Sequence, residues 1–137
     1  MSQLNLDQKA AQHAQEMVGN GVGVKDAKAV EILITKTLGV LQEQGVYAAL
    51  LFLFSRSGEE PKIAREIRQS LYFLLKELPP YQNDETLTGF DKESNPQEVL
   101  PFFSGSVCEN LDTLLLVKEL YEQTLVYARY GAKAAGE

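Results

Sequence analysis

Apolar residues recur along this chain at intervals of three and four, and the recurrence divides it into helices. Ala10, Ala11, Ala14, Met17 and Val18 share one face of a first helix over about 5–19, with Asn5 or Asp7 as its cap. The GNGVG stretch, Gly19 to Gly23, is expected to end it, since three glycines in five residues disfavour a helix. A second helix over about 26–44 starts at Asp26 and places Val30, Leu33, Ile34, Thr37, Leu38 and Leu41 inward, and Gly45 terminates it.

The run VYAALLFLF, Val46 to Phe54, is the most apolar stretch. Nine residues span about 14 Å, too short for a bilayer crossing, which takes roughly 20 residues. Ala48, Ala49, Leu50 and Leu51 prefer a helix to a strand. The stretch reads as a third helix, about 46–56, buried on most of its surface, with a turn at Ser57-Gly58. A fourth helix begins near Pro61, where Glu59 and Glu60 suit the positive end of the dipole, and stops before Pro79-Pro80. Ala64, Ile67, Leu71, Leu74, Leu75 and Leu78 are its apolar stripe. From Pro79 to about Ser106 no period is sustained, and four prolines with several acids predict a long loop, which Phe90, Leu100, Phe102 and Phe103 pin to the body. A last helix over about 110–134 carries apolar residues from Leu111 to Ala128 around a wide arc, which predicts a central position. Alternation at period two is absent over any useful length. The expected fold is therefore all-α: one domain, 1–137, forming a compact bundle of about five helices with one acidic loop, about 79–108, before the last.

Charge changes this picture locally. The 137-residue chain has a net charge of −6, so nothing global points to nucleic acid. Yet residues 25–76 hold eight basic and six acidic side chains, while 77–122 hold two basic and ten acidic. On the fourth helix Lys62, Arg65, Arg68, Gln69, Tyr72 and Lys76 fall within an arc of roughly 120° opposite the apolar stripe. One-turn steps of about 5.4 Å suit the spacing of phosphates along a nucleic-acid strand. Arg56 extends the row, Lys25, Lys28 and Lys36 on the second helix supply another, and Tyr72 with Phe73 at its flank is a candidate base-stacking group. The same pattern is also what a solvated face of any amphipathic helix shows, and both readings stand at this point.

Catalytic and metal chemistry finds little footing. His13 is the sole histidine and reads as a solvated side chain on an exposed helix edge. Cys108 is the sole cysteine and cannot close an internal disulfide, which suits a reducing, cytoplasmic setting. There is no G-x-S-x-G elbow and no phosphate-binding loop motif. GNGVG follows a helix rather than a strand, which removes the dinucleotide-binding mechanism. Glu59/Glu60 and Asp84/Glu85 read as exposed caps and loop charges. No enzyme activity, metal, cofactor or membrane segment is expected.

Three segments in order, QKAAQHAQEMV, GVYAALLFLFSRSG and KELYEQTLVYARYGAKAAGE, resemble the small all-helical subunit of Cmr-type (type III-B) CRISPR effector complexes. The family's glycine-led A-L-x-F-L-x-S pattern is matched from Gly45-Val46 through Phe52-Leu53-Phe54-Ser55, and its closing helix by Glu119-Leu120, Tyr127, Arg129, Lys133 and Ala134. Tyr127 or Tyr130 stands where the family often has a tryptophan. The resemblance covers about two thirds of the chain. It implies a non-catalytic antiviral-defence subunit whose partners are other effector subunits, guide RNA and target RNA, with self-association among its contacts. The alternative from the residues is a helical protein–protein adaptor that docks through the acidic 81–112 stretch and the last helix, without nucleic acid.

Overall fold

A computed structural model of the chain describes residues 5–24, 27–56 and 61–136. Its helices are α1 (Leu6–Val24), α2 (Ala27–Gln44), α3 (Val46–Ser55), α4 (Pro61–Lys76), α5 (Glu85–Thr88), α6 (Pro96–Phe102) and α7 (Leu111–Ala135). Among the described residues there is no strand, and no helix is long and apolar enough to cross a membrane. The all-helical bundle is as expected; among the described residues seven α-helices replace about five.

The 25-residue α7 is the spine, with α1 and α2 packed along it. α2 runs antiparallel to α7: Lys118 reaches the Gln42 carbonyl at one end, and Gly136 lies beside Ala27 at the other. α1 also packs on α4, and α3 lies against α2, α4 and α6. Gly45, at φ 99°, ends α2 by donating to the Leu41 carbonyl (3.0 Å) and starts α3 one residue later. A Cβ would strain that backbone, so glycine is required there.

The GNGVG stretch does not end α1, which continues to Val24. Each helical glycine costs about 0.5–1 kcal/mol, and packing on neighbouring helices outweighs this. α1 lies against α7 there: a Cβ at Gly131 would stand 3.6 Å from Val18, an ordinary contact. The expected cap at Asp26, the turn at Ser57-Gly58, and Glu59, Glu60 and Lys25 lie outside the described residues.

The stretch 79–108 is not the expected loop. It contains a 3-10 turn (Pro79–Tyr81), α5, α6 and a π turn (Phe103–Val107). Asp84 caps α5 by accepting from Leu87 N, and Asn95 and Glu98 form a reciprocal capping box with Pro96 in the first turn of α6. Pro101 removes a donor inside α6, and the chain widens until Cys108 N bonds the Phe103 carbonyl (2.9 Å). Leu87, Val99, Phe103 and Val107 are buried completely, so this segment is core.

Two burial expectations also change. α3 buries Val46, Ala49, Leu50 and Leu53 but exposes Tyr47 and Leu51. In α7, Leu111 and Leu115 face out rather than inward. Truncation at the centre of the covering segment, Phe103→Ala, should lower stability by about 3–5 kcal/mol in urea unfolding, whereas Leu111→Ala should change it by less than about 0.5 kcal/mol.

Candidate nucleic-acid interface

The row predicted on α4 divides at its middle. Lys62 is exposed and Arg65 half-exposed, and neither is paired among the described residues. Arg68, one turn on, is 6% exposed. Its guanidinium donates to the Leu53 carbonyl (3.3 Å) at the C-terminal end of α3 and stacks over the Phe54 ring, 4.3 Å from the centroid. The partial negative charge of that helix end suits a cation, and the ring face adds to it. Arg68 also lies against the Tyr72 hydroxyl without a well-formed hydrogen bond; Nε and the hydroxyl stay unpartnered. Burial lowers the Arg68 pKa, and the nearby Arg65 charge acts in the same direction.

Tyr72 is not available to stack on a base, because it is wholly buried. Its ring lies 5.7 Å from Phe90 and 6.3 Å from Phe103, and Phe102 contacts both phenylalanines. Burial holds the phenol proton far above its ordinary range. Lys76 is half-buried: it donates to the Thr88 carbonyl (3.3 Å) and lies over Phe73 (4.6 Å). Burial lowers its pKa, opposed by the negative charge of Asp91. Gln69 accepts from Lys92 N, and the buried Glu66 pairs with Lys92 Nζ at 3.1 Å. The face expected to meet solvent is therefore covered by the end of α3 at Arg68 and by the 85–103 segment from Gln69 onward, where apolar residues are withdrawn from water.

The remaining candidates are dispersed. Arg56 caps α3 and lies over Phe52 (5.6 Å). Lys36 is exposed on α2 and borders a shallow depression of about 310 Å³ that Phe52 also lines. Lys28 is exposed and pairs with Glu31 (3.7 Å). The structure thus brings Lys62 and Arg65 together at the start of α4, leaves Lys36 exposed, and withdraws Arg68, Tyr72 and much of Lys76.

Sequence reasoning also missed the setting of His13. His13 is not solvated; it is 7% exposed and its Nε2 lies 3.0 Å from Glu77 Oε2, with Lys9 also near that carboxylate (3.7 Å). The contact joins residues 64 apart, which no local pattern reveals. Among the described residues no three His, Cys, Asp or Glu side chains converge as metal ligands would. Cys108 is half-buried and burial pushes its thiol pKa up.

No protein-family profile matches the chain, and no curated protein or solved structure does.

Folding keeps Tyr72, Tyr81 and Tyr121 protonated beyond the pH of about 10 at which an unfolded tyrosine ionises. Above that pH the unfolded chain binds fewer protons than the folded one, so stability should fall as pH rises. Urea midpoints across the alkaline range, with tyrosinate absorbance, check this: native absorbance should stay below the value reached on unfolding at the same pH.

Proposed function

We propose that the chain is a non-catalytic small subunit of an RNA-guided, RNA-targeting type III CRISPR antiviral complex in the cytoplasm. It holds neighbouring subunits through apolar surface on α3 and α7, and it meets guide or target RNA with the start of α4. The reading draws on the sequence resemblance. The observation that carries its nucleic-acid part is that Lys62 and Arg65, one turn apart, have no ion-pair partner among the described residues of a chain whose net charge is −6. Lys36 supplies a further exposed cation, and the contact on this reading is narrower than a full-length row.

The protein–protein adaptor reading is favoured by a different observation. Arg68 and Tyr72 are buried, so the central cation and the stacking group of the row are unavailable to RNA. Exposed Tyr47, Leu51, Leu115 and Leu116 would serve an adaptor equally well.

Co-purification of the chain with endogenous RNA and its partner proteins separates the two. RNA binding should be salt-sensitive, and Lys62→Glu with Arg65→Glu should weaken it at least tenfold. The slope of log affinity against log salt should fall by about 1.4–1.8 for two lost phosphate contacts. Unchanged RNA binding in the double variant removes the interface assignment, and partner capture without RNA supports the adaptor.

A further inference from the structure

A depression of about 310 Å³ lies between the outer face of α2 and the Phe52 ring of α3. Lys36, Gly39, Val40, Glu43 and Gln44 form its α2 side. At about 100° per residue, the first four of these fall within an arc of about 100°. Lys36 and Glu43 stand at opposite ends, about 10.5 Å apart along the helix axis. The volume is at the lower end of small-molecule sites.

Two features of this depression play no part in packing. Gly39 sits inside α2, where glycine is destabilising, yet a Cβ there would meet nothing within 4 Å. No neighbour requires a glycine at this position, and the space over its Cα is open. Lys36 and Glu43 are exposed, and among the described residues neither is held in an ion pair. Other polar residues of α2 are committed: Lys28 pairs with Glu31, and Gln42 donates to Glu122. Phe52 is half-buried, with the Arg56 guanidinium over its ring, 5.6 Å from the centroid.

A cation, an aromatic wall, an open floor and a carboxylate are together the groups that recognise a nucleotide. The lysine suits a phosphate, and the guanidinium beside the ring adds positive charge. A flat base stacks on an aromatic ring. An ionised carboxylate only accepts hydrogen bonds, so it selects a base edge that carries donors. Guanine presents two adjacent donors, N1–H and the 2-amino group, which match the two oxygens of one carboxylate. Adenine and uracil lack that pair. We propose that this depression binds a guanine nucleotide, with its phosphate at Lys36, its base against Phe52 over Gly39, and its N1–H and 2-amino group on Glu43. Phosphate and base edge are opposite ends of a nucleotide, as Lys36 and Glu43 are opposite ends of the depression. Phe52 then supplies the stacking group that the buried Tyr72 cannot. Free guanosine monophosphate and a guanosine in single-stranded RNA share this chemistry. For RNA the proposal deepens the proposed function and rests on that reading; for the free nucleotide it stands alone.

Titration of the full chain with guanosine monophosphate or adenosine monophosphate, followed by amide shifts in NMR, tests the site. Guanosine monophosphate should give saturable shifts confined to residues 36–44 and Phe52. Adenosine monophosphate should bind about tenfold more weakly. Glu43→Gln should remove that preference, and Lys36→Ala should weaken both nucleotides alike. Gly39→Leu fills the floor and should abolish binding of both, while its melting temperature should not fall. Fluorescence anisotropy with an oligouridine carrying one guanosine or one adenosine identifies the source. A guanosine preference lost in Glu43→Gln and Gly39→Leu assigns the site to RNA; binding of the monophosphate alone assigns it to the free nucleotide. No saturable shift together with no guanosine preference overturns the proposal, as does binding that Gly39→Leu leaves intact or that treats the two bases alike. RNA affinity that depends on Lys62 and Arg65 but not on Gly39 rejects the site and leaves the functional reading intact. Guanosine monophosphate bound by a chain that takes no RNA does the reverse.

Discussion

The aromatic seam between Tyr72 of α4 and Phe90, Phe102 and Phe103 of the covering segment is the contact on which the arrangement of the molecule depends. Centroid separations of 5.5 to 6.3 Å with tilted and edge-on rings are the attractive geometry for such groups. Each buried ring contributes roughly 1.5–3 kcal/mol of apolar transfer energy, enough to order short helices that would not form alone. With Leu87, Val99 and Val107 beneath them, these rings turn an acidic, proline-rich stretch into a second layer of the core.

That layer decides the electrostatics. Together with the end of α3 it closes over α4 and removes Arg68 from water, and no carboxylate among the described residues pairs with it. A helix carbonyl end and a phenylalanine ring take the part of a counter-ion. Such contacts hold the cation while leaving it costly to bury, which is why its pKa falls. The same closure provides Glu66 with Lys92 and draws Lys76 toward Thr88. The exposed basic surface of α4 shrinks to its first turns, and the acids Asp91 and Glu93 of the cover lie near the rest. A nucleic acid would therefore meet one end of this helix rather than its length.

α7 is the counterpart. Its inner face organises α1 and α2, and the Tyr121 hydroxyl bonds the Leu71 carbonyl (2.9 Å) to tie it to α4. Its outer face carries large apolar side chains that the fold leaves in water.

The positions of α2, α3, α4 and α7, the all-α class and the Gly45 junction were legible in the sequence, because periodicity of three to four and a glycine between two apolar runs are local properties; the end of α1 and the short helices α5 and α6 were not. The capping box at Asn95 and Glu98, with Pro96 between them, was also written locally but was obscured by the surrounding prolines and acids. Which side of α4 faces water was not legible. A stripe of cations opposite an apolar face looks the same whether solvent or another segment lies over it, and the segment that covers it lies well downstream: Lys76 meets Thr88 12 residues on, and Glu66 meets Lys92 26 residues on. The burial of His13 against Glu77 and the exposure of Leu111 and Leu115 depend likewise on how distant helices meet. The sequence by itself determined where the long helices α2, α3, α4 and α7 lie; only the tertiary structure decided how far α1 runs, that the 79–108 stretch folds into the core, and which charged and apolar faces remain free, because burial is a property of pairs of segments and not of either one.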